Sequence, residues 1–139
     1  MSDPFRINSG GITSNNDLDK WGFLHIPGFV GTIAKDQIKD VSFLPGASWI
    51  INMDDNKGTH WVGMRVSNKK KVVMYIDSFG FPPEDEVVRA VWKKGLPIWY
   101  SQKDHQLLHS DNCGQWALYF LQSLSQSKND WALFKELGG

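Results

Sequence analysis

Cysteine is nearly absent from this sequence: Cys113 is the only one in 139 residues. A single thiol excludes an internal disulfide, so the fold does not depend on an oxidising compartment. No apolar run reaches the roughly 18 residues that a membrane-spanning helix needs. The opening MSDPFRINSGG lacks the basic-then-apolar order of a secretory signal. A reducing setting is expected, in cytoplasm, nucleus or an enclosed particle, with no membrane partner and no secretion. Net charge is missing as well, because fifteen basic side chains balance fifteen acidic ones. A broad nucleic-acid binder carries a basic excess, so nucleic acid is not expected to be required. The one basic run, Lys69-Lys70-Lys71, lies between two apolar stretches. It reads as a solvated turn, with a phosphate-binding patch as the other reading.

Aromatic side chains are plentiful, with seven tryptophans and eight phenylalanines, which is enough to build the core of one domain. Internal repeats and a domain linker are lacking. Residues 1–17 carry few apolar anchors and read as an irregular arm before a single domain over 18–139. WGFLHIPGFVG is broken by Pro27, Gly28 and Gly31. It reads as an aromatic packing segment, followed by a short helix near Lys35–Val41. SWIINM, HWVGMRV and KVVMYIDSFG have the apolar, β-branched character of strands, and the short link at 67–70 makes the last two an antiparallel hairpin. EDEVVRAVWKKG has acids in its first turn, lysines in its last and a glycine beyond, which suits a helix dipole and its C-cap. Val87, Val88, Val91 and Trp92 would be its buried face. PIWYSQ reads as a further short strand. Residues 113–125 read as a buried central helix, and 129–137 as a short amphipathic one. The fold class expected is α+β, a central helix packed on a small, mostly antiparallel sheet.

The chemistry centres on DNCGQW. Cys113 can be an inert core thiol, a metal ligand or a nucleophile. Asp111 and Asn112 are good N-cap residues, which would put Cys113 in the first turn of a helix. Unpaired backbone N–H groups and the positive dipole end both favour negative charge there, and Gly114 leaves room for an approach to the backbone. A thiol nucleophile also needs a base, and a group to orient that base. His60 opens one strand of the hairpin and Asp77 closes the other, so the two are expected to be neighbours. A buried carboxylate at Asp77 needs such a partner. Gln106 could donate to an oxyanion beside the Cys113 N–H. For zinc, His105, His109 and Cys113 share a spacing of four, but the capping residues Asp111 and Asn112 interrupt any continuous helix through them. No metal and no cofactor are expected.

GTHWVGM, YIDSFGFPP, a glutamine and then DNCG, in that order, resemble the adenovirus maturation protease (adenain) and the wider Ulp1-like cysteine peptidases. GFVGTIAKDQI followed by WIINMD resembles the maturation proteases of virophages and Polinton-like elements. The resemblance runs from about Gly28 to Leu121. It implies the adenain/Ulp1-like fold and a thiol endopeptidase. Cys113 would be nucleophile, His60 base and acid, and Asp77 the orienting group. Gln106 and the Cys113 N–H would form the oxyanion hole, and Trp61 would flank the substrate, its other reading being a core aromatic. The implied substrates are viral capsid or other structural precursors, cut after Gly-Gly-like sites during virion maturation. Two further readings stay open: a SUMO or ubiquitin isopeptidase of the same chemistry, and a catalytically silent scaffold of the same fold. A disulfide-linked activator would consume the one cysteine, so none is expected, and a monomer is. The terminal Gly138-Gly139 reads either as a self-processing site or as a helix stop.

Overall fold

The computed structural model describes residues 2–7, 14–53, 60–105 and 112–139. Five strands, β1 (Phe29–Ala34), β2 (Ser48–Asn52), β3 (Trp61–Val66), β4 (Val73–Ile76) and β5 (Ile98–Tyr100), form one sheet in chain order. Four helices, α1 (Asn15–His25), α2 (Asp85–Lys93), α3 (Cys113–Gln126) and α4 (Asp130–Glu136), cover it, with 3-10 turns at Pro4–Arg6 and Lys35–Asp40.

Strand β3 is buried along its whole length because both of its faces are covered. Alternation of side chains sends Val62, Met64 and Val66 to one face, with Trp49, Ile51, Val87 and Val91. Helix α2 and the turn at Lys35–Asp40 close that side. Trp61 points to the other face, where it joins Leu18, Ile50, Cys113, Ala117 and Leu121. On this second face α3 runs against the sheet, and nine of its fourteen residues are buried. Gly63 makes the close approach possible: a Cβ there would stand 3.3 Å from Leu121 Cγ and 3.5 Å from the Ala117 carbonyl oxygen. Even a methyl group there would require the Leu121 side chain to give way by a few tenths of an ångström.

Arg65 also points to the α3 face and is only 2% exposed. Its charge is met by Asp130 at the start of α4, with Nε donating to Oδ2 at 3.0 Å. The Ser67 hydroxyl donates to Asp130 Oδ1 at 2.7 Å and the Asn68 N–H to Oδ2 at 2.8 Å. Arg65 Nη1 donates to the Gly46 carbonyl and to Ser48 Oγ. Burial alone would raise the Asp130 carboxyl. The Asn68 N–H, the Ser67 hydroxyl and Arg65 outweigh it, so Asp130 is held below the usual carboxylate value.

The α+β class and the central helix stand, and the fold differs from the expectation in four places. The sheet is mixed: β2–β3 and β3–β4 are antiparallel, while β1–β2 and β4–β5 are parallel. The parallel connections carry the Lys35–Asp40 turn and α2 across one face, so short helices replace hairpins there. The segment read as aromatic packing is α1 and β1. Only Leu18 and Gly22 of α1 are buried, so no apolar stripe announces it. Its signal is the cap, where Ser14 Oγ accepts from the Asp17 N–H and Asp17 reaches back to the Ser14 N–H. Within residues 1–17, Pro4 is buried and Phe5 packs edge-on against Trp116 at 4.9 Å. Trp92 is 77% exposed rather than buried, because Val87 and Val91 with Ala90 supply the contact face of α2.

Breaking a buried ion pair from one side leaves an uncompensated charge. Asp130→Ala is expected to lower unfolding stability by about 3–5 kcal/mol in urea titrations at pH 7. The native-state contribution of Asp130 is complete above 3.8, its ordinary value, and is lost as pH falls through the lowered native one. The gap between wild type and variant therefore narrows in acid. A gap that is small at pH 7, or constant down to pH 2, would contradict this account.

Candidate active site

Cys113 is the first residue of α3 and is 5% exposed. Asn112 occupies the N-cap position, with φ −103° and ψ 33°, but its side chain does not cap the helix. The first-turn N–H groups and the dipole end therefore face the sulfur's surroundings without a side-chain acceptor from the cap. Gly114 is not left open, as the sequence suggested. A Cβ there would lie 3.1 Å from both Trp61 Cε3 and Leu18 Cδ2, so those two side chains close over the first turn.

His60 stands just before β3, its carbonyl held by the Met53 N–H at 2.7 Å. Its Nε2 lies 2.9 Å from Asp77 Oδ2, and the Cys113 side chain is close enough to the ring to act on its pKa. Asp77 is buried at the exit of β4. Its second oxygen, Oδ1, accepts the Phe79 N–H at 2.8 Å. Both carboxylate oxygens are thus engaged, which fixes the plane from which Asp77 addresses the imidazole. Partial burial by itself pulls the His60 pKa down. The hydrogen bond to Asp77, the nearby Cys113 side chain and the charges of both outweigh it and push the value from 6.5 up to about 10. The imidazolium is therefore the resting form at neutral pH. It favours the folded state fully below pH 6.5, and that contribution is lost as pH rises through about 10.

The hairpin accordingly brings His60 and Asp77 together, and the fold brings Cys113 to them. Trp61 is buried at 4% exposure and belongs to the core cluster around Cys113. Its indole Nε1 donates to Asn15 Oδ1 at 2.7 Å, and Asn15 Oδ1 also accepts from Asn52 Nδ2 at 3.2 Å. Gln106 lies outside the described residues, as do His109 and Asp111. His105 donates from Nε2 to the Leu137 carbonyl at 3.0 Å and packs against Phe120, which ties the chain end to α3. Among the described residues no three His, Cys, Asp or Glu side chains are grouped to hold a metal. A pocket of about 610 Å³ lined by Val30, Ile33, Val41 and Leu44 contains none of His60, Asp77 or Cys113.

Two contributors were not read from the sequence. Asn15 ties α1 to the strand that begins beside His60. Phe79 holds Asp77 through its N–H and lays its ring 5.6 Å from the His60 ring. Asp-Ser-Phe-Gly after a strand is a turn signal that could have suggested the first Phe79 contact.

No family model matches the sequence, and no curated protein matches it. Solved structures do match. The crystal structure of the ASFV pS273R protease superposes with a TM-score of 0.62 at 14% identity, covering 93% of this chain and 63% of that one. The C-terminal Ulp1 protease domain, crystallised with Smt3, the yeast ortholog of SUMO, gives 0.52 at 12% identity, covering 88% of this chain and 70% of that one. The fold is the Ulp1-like protease fold. This chain spans less than two thirds of the ASFV protease it matches.

Direct titration of the His60 ring by NMR is expected to show it still protonated at pH 8 and losing its proton near pH 10. Asp77→Asn, which removes the largest favourable contact, should bring the midpoint down toward 6.5. A wild-type ring already neutral at pH 8 would contradict the geometry described.

Proposed function

We propose that this chain is a thiol endopeptidase that cleaves viral capsid or other structural precursors during particle maturation, after small-residue, Gly-Gly-like sites. The observation that carries the reading is one imidazole hydrogen-bonded to a buried carboxylate and close enough to the thiol at a helix N-terminus for that thiol to raise its pKa. The likeness in fold to two proteases supports it.

The proposed reaction is acyl transfer. The Cys113 sulfur attacks the scissile carbonyl carbon, and the carbonyl becomes an oxyanion for which the Cys113 N–H and Gln106 would be the donors. The His60 imidazolium gives its proton to the leaving amine as the C–N bond breaks, leaving a thioester on Cys113. His60, now neutral, takes a proton from water as that water attacks the thioester, and the acid and thiolate are restored. Asp77 keeps the ring oriented throughout and stabilises its charged form. Neither nucleic acid nor a disulfide-linked activator is required in this scheme.

A second reading keeps the chemistry and changes the substrate. The Ulp1 domain was crystallised with a SUMO protein, which favours testing SUMO and ubiquitin conjugates alongside capsid precursors. A silent scaffold would instead show slow Cys113 alkylation by iodoacetamide, unchanged by His60→Ala.

Incubation with candidate structural precursors, followed by mass spectrometry of new termini, tests the reading. Cys113→Ala is expected to abolish cleavage while leaving the circular dichroism and melting curve near wild type. Gln106→Ala should slow cleavage by on the order of 10²–10³, as for loss of one oxyanion donor. Asp77→Asn should cost less than His60→Ala. Full activity in all of these variants would refute the assignment.

A further inference from the structure

The row of aromatic rings leading away from His60 is not used by the mechanism above. Phe79 lies with its ring centroid 5.6 Å from that of His60, tilted by 34°. Phe81 continues the row at 6.2 Å from Phe79, tilted by 36°. Phe79 is half-buried, whereas Phe81 is 61% exposed and presents most of its surface to solvent.

The backbone that carries the row is pinned. Gly80 has φ +79°, and a Cβ there would stand 2.6 Å from the Gln102 carbonyl oxygen, so only glycine fits. The Gly80 N–H donates to the Asp77 carbonyl at 2.8 Å, and the His105 N–H to the Ser78 carbonyl at 2.7 Å. A large exposed apolar ring on a rigid turn gains nothing for the fold and keeps a fixed position for a ligand. Ring spacings near 6 Å match about two residues of extended peptide at roughly 3.3 Å each. One ring would therefore meet alternate side chains of a peptide lying along the row.

We infer that Phe79 and Phe81 form the apolar wall of a subsite for substrate residues on the leaving-group side of the scissile bond, selecting an aliphatic or aromatic side chain there. The side follows from the chemistry. His60 must reach the leaving nitrogen to protonate it, so the ring that lies against His60, and the one beyond it, adjoin the residues that depart with that nitrogen. Phe79 also shields one ring face of the imidazolium at a distance suited to cation–π attraction. The inference rests on the thiol-endopeptidase reading and names the substrate class for that same site.

Internally quenched peptides with Gly-Gly before the scissile bond test it, with Gly, Leu, Phe or Asp placed in turn at each of the first four positions after it. The wild type is expected to prefer Leu or Phe over Gly and Asp at one of these positions. Phe81→Ala should reduce the Leu-to-Gly ratio of kcat/KM there by about tenfold, the order expected for one seated aliphatic side chain. Phe79→Leu should reduce the ratio less and also lower the His60 NMR midpoint. Trp92→Ala, which removes an exposed aromatic ring on the opposite face of the sheet, should leave the ratio as it is. Cys113-dependent cleavage with the same preference in wild type and Phe81→Ala overturns the subsite alone. Absence of Cys113-dependent cleavage from every peptide and protein substrate overturns the protease reading, and the subsite with it.

Discussion

Contact between α3 and β3 at Gly63 is the constraint on which the rest depends. No side chain separates helix from strand there, so Ala117 and Leu121 seat directly on the sheet. Cys113 lies about one helical turn before Ala117, and His60 lies three strand residues before Gly63. The register of one packing contact thereby sets whether sulfur and imidazole meet. Sliding the helix by a single turn, ~5.4 Å, would part sulfur from imidazole while leaving much of the apolar burial intact. Trp61 and Leu18 resist such a slide by closing over Gly114. Packing that would otherwise be ordinary core formation here has a chemical consequence.

Among the described residues two carboxylates are buried, on related principles and to different ends. Asp130 accepts from a backbone N–H, a hydroxyl and the guanidinium of Arg65. Asp77 accepts from a backbone N–H and from His60. Each arrangement satisfies the acceptor lone pairs that burial would otherwise leave costly. The difference lies in the cation. A guanidinium keeps its proton at any pH the fold survives, so Asp130 locks α4 to the hairpin as a static fastening. An imidazolium can release and recover a proton, so the Asp77 pair can take part in proton transfer. The turn after Asp77 links this electrostatics to the surface, since the same Phe79 that holds the carboxylate through its N–H also covers His60 with its ring.

At 12–14% identity the likeness to the ASFV and Ulp1 proteases lies in topology and not in sequence. This chain reaches that topology with a glycine where helix meets strand and apolar residues on both sheet faces. The rest of the surface is free to differ, which is where the proposed substrate preference would reside.

The α+β class, the β3–β4 hairpin, the amphipathic face of α2 and the helix opening at Cys113 were legible because each is written in local pattern: alternation, capping and short loops. The nearness of His60 and Asp77 was legible for the same reason, since antiparallel pairing puts the start of one strand beside the end of the next. Helix α1 was not, because its buried side is two residues wide and Gly22 is shaped to receive Phe29 from outside the helix. Trp92 misled because helical spacing alone does not say how wide the contact stripe is, and Val87, Val91 and Ala90 already fill it. The parallel placing of β1 and β5 depends on crossovers whose direction no local pattern states. By itself the sequence determined which side chains could do chemistry and where the hairpin joins two of them. Only tertiary packing decided that the sulfur, more than fifty residues further along the chain from His60, arrives at the same ring, because that approach is set by the close fit of a helix on a glycine rather than by any spacing along the chain.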